Sequence, residues 1–313
     1  MKRFKFFIVI LLSSASILKS GTPNGASFLE MVTHPRPAAL GEAYVAAGDD
    51  VYSLTYNPSA SAIIKTPELG AAYLNLFDEI NLNSFSIVYP FMDRFAVGGD
   101  IFYFSFDDIR RDENGTANGE LSVNSFAVTL NGAFKITDYL AAGANVRWLR
   151  EDFDVVSGTT VGFDLGALLK VPLYKEYGEL KGGIAIRNIG PDIDLGNASD
   201  NLPLTAAVGL SYKILDSLLF TAEYQYEDDD SYNLGVEYVW AEMLSLRMGA
   251  RFDSRQPDDS RLRFGCGFKY PRFGALDYTY EDQENFGAMH RISYRYIFRE
   301  QEKTPTIGSK YRP

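Results

Sequence analysis

From residue 244 onward the chain alternates between apolar residues and polar or small ones. Over residues 244–252 the even positions are apolar, and the odd positions carry Ser, Arg and Gly. The same parity returns over residues 262–270 and 292–298. A period of two predicts β-strands whose two faces meet different surroundings. Bulky apolar residues on one face and Arg, Gly or Ser on the other are typical of a membrane barrel, in which lipid meets the apolar face.

The same pattern, followed backwards along the chain, predicts fourteen strands and therefore an all-β, 14-stranded antiparallel transmembrane β-barrel. The predicted strands are residues 67–77, 80–91, 94–106, 119–135, 138–152, 159–172, 178–189, 203–214, 217–227, 230–240, 243–253, 260–270, 273–282 and 288–298. An even number of strands places both barrel ends on the periplasmic side. Short connections follow the even-numbered strands and longer, more acidic ones follow most odd-numbered strands, which predicts periplasmic turns and extracellular loops respectively.

The sequence outside the strands predicts three further segments. Residues 1–20 begin with basic residues, continue with an apolar run over 6–12 and end with small residues, which predicts a signal peptide too short to span a membrane. Residues 21–66 do not alternate and are predicted to form an N-terminal hatch in or under the barrel of residues 67–298. Residues 299–313 are polar and are predicted to be a periplasmic tail. The predicted signal peptide and the predicted barrel together indicate that the protein is located in the outer membrane, where lipid surrounds the barrel.

Composition narrows the possible partners. The chain has 20 Tyr and 22 Phe, which fits the aromatic girdles of a barrel. Its formal charge of −11 becomes −15 when the four basic residues of the predicted signal peptide are removed. Nucleic acid is excluded as a partner, because phosphates require a basic face. The single Cys266 excludes an internal disulfide, and it lies on the apolar face of its strand.

The parity of the last seven strands places a set of charged and polar residues in the lumen. These are Glu223, Gln225, Glu237, Arg247, Arg251, Arg261, Arg263, Asp277, Arg291 and Arg295. One interpretation is a ladder of ion pairs that joins hatch and wall, because charges in a narrow lumen must pair or stay hydrated. The other is an anion-preferring constriction. In an earlier strand Phe102 and Phe104 share a face, and they either form an apolar wall for a hydrophobic ligand or pack the hatch.

The N-terminal segment carries a recognisable motif. Residues 36–50 read RPAALGEAYVAAGDD and are followed by Tyr56-Asn57-Pro58-Ser59-Ala60. This resembles the opening of PorV/PorQ-type outer-membrane proteins, relatives of the FadL fatty-acid transporters, although Ser59 interrupts the usual Asn-Pro-Ala. Later motifs such as Leu234-Gly235-Val236-Glu237-Tyr238 agree with it. The resemblance implies a 14-stranded FadL-type barrel with an N-terminal hatch. It also implies that Tyr294, Tyr296 and Phe298 form the insertion signal read by the outer-membrane assembly machinery.

The hatch motif contains residue types that also occur at catalytic and metal-binding sites. Gly41, Asp49, Asp50, Asn57 and Pro58 could include a catalytic or metal-binding pair. Hatch turns are the favoured interpretation, because Asp and Asn bond their own backbone and Pro fixes φ. No nucleophile lies in a pattern with a base, and no phosphate loop or metal-ligand spacing is found. The prediction is therefore no catalytic residue, no metal, no cofactor and no enzyme activity.

Two functions fit this barrel. The first, implied by the resemblance, is to bind or anchor exported proteins at the surface in type IX protein secretion. The second is FadL-like uptake of hydrophobic small molecules, which would need an apolar capture groove. Because the predicted extracellular loops are acidic and polar, the first is favoured. A structural barrel without a transport role is a third possibility, since a fold does not determine a function.

Overall fold

The computed structural model describes residues 25–76, 80–111, 116–154, 156–171, 173, 178–196, 198–227, 230–254, 261–270, 273–283 and 287–298. The predicted signal peptide and the predicted tail lie outside these residues. Among the described residues, no helix is long and apolar enough to cross a membrane.

The chain begins with short helical turns and continues almost entirely as strands. The helical elements are three 3₁₀ turns, Ser27–Glu30, Val51–Thr55 and Pro58–Ile63, and one α-helix, α1 (Pro35–Ala39). The strands are β1 (Glu68–Leu76), β2 (Ile80–Phe91), β3 (Phe95–Arg111), β4 (Ala117–Lys135), β5 (Leu140–Phe153), β6 (Val156–Val171), β7 (Glu179–Ile189), β8 (Ile193–Leu195), β9 (Ala198–Asp200), β10 (Thr205–Ile214), β11 (Leu218–Tyr226), β12 (Ser231–Trp240), β13 (Leu244–Asp253), β14 (Arg261–Tyr270), β15 (Gly274–Gln283) and β16 (Gly287–Ile297).

Fourteen of these strands form one closed antiparallel barrel. Each pairs with its neighbour in sequence, β10 follows β7 directly, and β1 pairs with β16 to close the cylinder. The predicted 14-stranded antiparallel barrel is confirmed. Closure pairs both edges of the sheet, which is the only way a β-sheet can satisfy its backbone groups in lipid.

Alternate residues of each strand point to opposite sides of the barrel wall. In β13 Leu246 is 52% exposed and faces outwards, whereas Arg247 is 8% exposed and faces the lumen. Leu246 lies opposite Tyr238 and Cys266 on the neighbouring strands, and both share its outward face. The apolar side chains that are exposed in this structure therefore form the surface that meets lipid.

Three short turns at the periplasmic end use residues other than glycine at positive φ. Met92 and Asp93, Leu215 and Asp216, and Ala241 and Glu242 all have positive φ angles between 51° and 59°. Two consecutive positive φ angles define the type I′ turn, whose twist matches that of the flanking strands. These turns hold the strands in register at the end opposite the longer connections.

The extracellular connections differ from the sequence prediction in two places. Residues 107–111 and 117–118 were expected to be loop, but they continue β3 and β4. The connection over residues 188–202, also expected to be irregular, contains the hairpin β8–β9. The pattern failed here because strands above the membrane face water on both sides, so alternation no longer marks them.

The outward aromatics of β16 allow a test of the predicted insertion signal. Tyr294, Tyr296 and Phe298 are all exposed on the lipid face, and the Phe298 N–H donates to the Pro67 carbonyl at 2.9 Å beside β1. We expect Phe298→Asp to impair assembly, because it places a charge at the closing seam. Deletion of residues 299–313 should leave assembly intact. Heat-modifiable migration in SDS gels measures both, and the opposite pair of results would contradict the predicted signal.

Candidate functional site

The hatch segment, defined as residues 25–66, runs through the barrel from its extracellular to its periplasmic end. The Gly25 N–H donates to the carbonyl of Asn201, which lies in the extracellular connection after β9. α1 then packs against β13, β14 and β15. Ile64 and Lys65 line the cavity at the periplasmic mouth. Because most residues between 33 and 62 are buried, the segment fills the lumen as a small internal core.

The apolar lumen wall that the sequence suggested is covered by the hatch. The ring of Phe28 lies 5.7 Å from that of Phe102 and 6.3 Å from that of Phe104, measured between centroids. Leu29 and Met31 pack against the same cluster. Of the two interpretations of Phe102 and Phe104, the geometry therefore favours packing of the hatch.

Arg36 links three parts of the molecule. Its Nε and Nη2 donate to both oxygens of Glu237 in β12, at 2.9 Å and 3.0 Å. Its Nη1 donates to Asp50 at 3.0 Å and also to Asp49 and the Tyr44 hydroxyl. A bidentate pair of this kind is geometrically specific as well as strong. The Asp-Asp pair of the hatch motif thus holds the arginine that binds the wall.

Glu42 makes a second link between the hatch and the wall, to the neighbouring strands β13 and β14. Its two carboxylate oxygens accept from Arg251 and Arg263, each at 2.5 Å. Burial alone would raise the pKa of Glu42, but the two guanidinium groups outweigh this effect and lower the pKa to about 2. Stability from this contact is therefore present above the ordinary pKa of a glutamate and is lost only as the pH falls towards 2.

Other lumen charges bind the hatch backbone. Glu223 accepts from the backbone N–H groups of Tyr44 and Val45, both at 2.8 Å. Arg291 donates to the carbonyl of Val32 at 2.7 Å and pairs with the fully buried Glu281 at 2.8 Å. These contacts satisfy polar groups of a non-helical, non-sheet segment that would otherwise be unpaired in the lumen.

The remaining predicted lumen residues also point inwards, in a chain of pairs. Arg247 bridges Glu237 and Asp277, with N–O distances of 2.5 Å and 2.6 Å. Arg295 pairs with Glu68, whose carboxylate accepts from the Val51 N–H. The predicted residues Gln225 and Arg251 lie on the same face. The side chain of Arg261 lies outside the described residues. The geometry favours a ladder that joins hatch and wall over an open constriction.

Asn57 and Pro58 belong to the third contact between the hatch motif and the barrel wall. The Asn57 side chain donates to the Val45 carbonyl at 2.7 Å and to the Ala167 carbonyl at 3.2 Å. Its oxygen accepts from the Ser59 N–H, as expected of an Asn-Pro turn. Gly166 of β6 faces Asn57 so closely that a Cβ there would collide with the amide oxygen. The motif residues therefore shape the hatch and seat it against the wall.

Gly249 of β13 lies where the hatch approaches the wall most closely. A Cβ at this position would collide with the backbone of Leu40 and Gly41, whereas a Cβ on Gly132 of β4 would meet no atom within 4 Å. We expect Gly249→Ala to destabilise the protein by about 1–3 kcal/mol through overpacking. Gly132→Ala should change stability by less than about 0.5 kcal/mol.

Urea titration of the folded protein in detergent, together with proteolysis of the hatch segment, measures this difference. Increased cleavage within residues 25–66 is expected for Gly249→Ala alone. Equal behaviour of the two variants would show that the hatch does not press on this part of the wall.

Several buried polar residues of the first strands were missed by the sequence analysis. His34 bonds to the hydroxyls of Tyr56 and Ser84, and Ser84 donates to Asp100 at 2.9 Å. Burial lowers the pKa of His34, so it is neutral at neutral pH. Arg147 pairs with Asp164 at 2.9 Å. The available signal was the alternation of single polar residues in β3, β5 and β6, but the lumen parity was assigned only for the last seven strands.

The hatch lies between two cavities of unequal size. On the extracellular side a cavity of about 70 Å³ is lined by Thr33, His34 and Tyr56. On the periplasmic side a vestibule of about 880 Å³ is lined by Arg36 and Asp49, of which Asp49 has 44% of its side chain exposed. The residues that bind the hatch to the wall thus form the floor of the vestibule.

At the extracellular end, β3 and β4 project beyond their neighbours as a finger, defined as residues 107–111 and 117–122. The pairing of β2 with β3 stops at Ile80 and Phe106, and that of β5 with β4 stops at Phe153 and Val123. Beyond Phe106, β3 pairs only with β4 among the described strands, whereas on the other side of β4 the Asp154 N–H still donates to the Ser122 carbonyl at 3.0 Å. Ile109 in this finger is 51% exposed.

The family model of the type IX secretion system protein PorV matches residues 19–219, which is more than half of the chain. The chain belongs to this family. Membership in the PorV family and the closed barrel place it in the outer membrane and in type IX protein secretion. The resemblance noted in the hatch motif is confirmed.

Solved barrels share the fold of this PorV-family protein. The Ralstonia pickettii toluene transporter TbuX is similar with a TM-score of 0.65 and 16% identity, covering 85% of this chain and 98% of that chain. The CymD monoaromatic hydrocarbon channel gives 0.64 and 14%, over 86% and 98%. A Pseudomonas aeruginosa FadL homologue gives 0.61 and 14%, over 85% and 98%. No curated protein matches the chain by sequence.

Proposed function

We propose that this PorV-family barrel holds exported proteins at its extracellular face, and that the finger of β3 and β4 makes the contact. The observation that carries the proposal is the pairing of residues 107–111 with β4 alone. A strand with one unpaired side is a template to which another chain can add a strand. Binding of this kind is non-catalytic, in keeping with the expectation from the sequence.

The filled lumen supports a role at the surface. The apolar contacts of Phe28 and the paired charges of Arg36 and Glu42 occupy the space through which a solute would pass. The hatch must be displaced before the barrel can conduct. The hatch is held in place by ion pairs and two strands project from the barrel, so the barrel can support contacts with a partner protein at its surface.

The test shortens the finger without touching the barrel. In the variant, residues 107–122 are replaced by an Asn-Gly turn; in the control, Leu215 and Asp216 of the periplasmic turn are replaced by the same two residues. Both variants should show wild-type heat-modifiable migration. We expect co-purification of exported proteins to be lost in the finger variant and kept in the control. Retention in the finger variant would refute a role for this element.

The connection over residues 188–202 is tested by a point substitution and not by replacement of the whole connection. Ile193 is fully buried, and the Asn201 carbonyl holds the hatch at Gly25. Removing this connection would disturb the hatch as well as the surface. Substitution of the exposed Asp194 by Ser tests its contribution to partner capture while the hairpin stays in place.

Uptake of hydrophobic molecules is the alternative function, suggested by the shared fold with hydrocarbon transporters. It would require the hatch to leave Phe102 and Phe104. The double variant Phe102→Asp and Phe104→Asp separates the two functions, because charge in this cluster would abolish an apolar pocket. Under the proposal, partner capture at the finger persists wherever the variant assembles. Loss of hydrocarbon uptake in this variant, with no partner captured by the wild type, would favour the alternative.

A further inference from the structure

A bulge in β7 places two consecutive residues in the lumen. In the first part of β7 every second residue is buried, namely Lys181, Gly183 and Ala185. Arg187 is the next residue on this face. The register with β6 then shifts, and Asn188 adopts a φ of 61° and is buried as well. A positive φ is uncommon for a residue other than glycine, and bulges often re-aim side chains at functional sites.

The two arginines beside this bulge differ in their partners. Arg147 is fully engaged: it pairs with Asp164 and donates to Thr129 and Asn188. The Nε of Arg187, by contrast, is buried and has no hydrogen-bond partner among the described residues. The guanidinium of Arg187 lies 5.9 Å from the centre of the Tyr56 ring, a contact that leaves its N–H groups free to donate.

The carboxylates around Arg187 are already taken by other donors. Glu223 is held by the Tyr44 and Val45 N–H groups, and Glu42 by Arg251 and Arg263. Glu227 accepts from Thr205 at 3.0 Å and from Gln225 at 3.2 Å. Arg187 is half-buried and faces the charge of Glu223, but its buried Nε donates to none of these carboxylates. A buried N–H without an acceptor is costly, so an acceptor from outside the chain would be stabilising here.

Arg187 lines the extracellular-side cavity, together with Thr129, Thr205 and Gln225. The cavity measures about 70 Å³, which exceeds the space needed for a single water, and its lining also includes Glu30, Glu42, Asp100 and Glu227. We propose that this cavity binds one carboxylate group, which the Arg187 guanidinium recognises through charge-assisted hydrogen bonds. Its size admits a short carboxylate.

The carboxylate has two possible sources, a free small acid or an acidic side chain of a polypeptide that enters from the extracellular side. This inference does not depend on partner capture at the finger.

The probe is trifluoroacetate, titrated into the full chain folded in detergent and followed by ¹⁹F NMR. Acetate and an N-acetylated, C-amidated peptide with one Asp then compete with it. Displacement by the peptide identifies a polypeptide source, and displacement by acetate alone identifies a small acid.

We expect saturable binding that weakens about tenfold or more in Arg187→Gln, because a charge-assisted hydrogen bond is lost. Arg187→Lys should retain part of the affinity, since it keeps the charge. Arg150→Gln, which removes an exposed arginine paired with Asp152, should bind as wild type does. Undiminished binding in a folded Arg187→Gln protein would overturn the proposal. The absence of saturable binding in the wild type would overturn it too, because the cavity would then hold water only.

Discussion

Replacement of Arg36 by Leu is expected to release the hatch and to destabilise the folded protein by about 3–5 kcal/mol, the usual cost of breaking a buried ion pair. The change leaves the buried Asp50 without its guanidinium partner and removes the bidentate contact with Glu237. Two measurements report the effect: the urea midpoint in detergent, and the rate at which a protease cleaves within residues 25–66. Ion conductance across a planar bilayer should rise, because the vestibule floor opens.

The matched control is Arg150→Leu. Arg150 also pairs with an aspartate, at 2.8 Å, but both side chains are more than 40% exposed. An exposed pair contributes about 0–1 kcal/mol, so this variant should keep both stability and hatch protection. If the two variants behaved alike, the hatch would not be held by its charges.

Introduction of an arginine on the lipid face in the middle of β13 is the second change expected to lower the stability of the protein strongly. Met248→Arg should cost about 2–4 kcal/mol, because Met248 is exposed on the apolar outer surface near the centre of its strand. Leu246→Arg should cost less, since it lies nearer the periplasmic end and the penalty falls towards the interface. Unfolding of the barrel from detergent or lipid vesicles measures these differences.

Ser245→Arg is the control on the other face, because Ser245 lines the periplasmic vestibule. It should be tolerated within about 1 kcal/mol. The neighbouring Arg247→Leu is not a neutral control, since Arg247 bridges Glu237 and Asp277. If Ser245→Arg were as costly as Met248→Arg, the two faces of the strand would be exchanged, as a one-residue slip in register requires.

The sequence predicted the barrel well because lipid imposes a strict alternation on every spanning strand. In β13 and β14 the apolar residues recur without interruption, so the parity of the sequence correctly predicted that Leu246 faces outwards and Arg247 inwards. The alternation weakens where water lies on both sides. Residues 107–111 therefore appeared to be loop, although they extend β3.

The site was predicted only in part, because the residues that contact one another in it are distant in sequence. The inward charges could be assigned by parity, but nothing in the sequence pairs Arg36 with Glu237, 201 positions away. The bulge that turns Arg187 and Asn188 inwards breaks the alternation on which parity depends. Phe102 and Phe104 were recognised as sharing a face, but their packing on Phe28 is a tertiary contact that no local pattern shows.

Photo-crosslinking from single positions tests most directly whether exported proteins bind at the extracellular finger. A photoreactive residue is placed at Ile109 in the finger, at Ile101 on the lipid face of the same strand, and at Leu215 in a periplasmic turn; all three side chains are exposed. We expect crosslinks to exported proteins from position 109 and none from positions 101 and 215. Crosslinks from position 215 without any from position 109 would contradict it, because the partners would then meet the barrel from the periplasm.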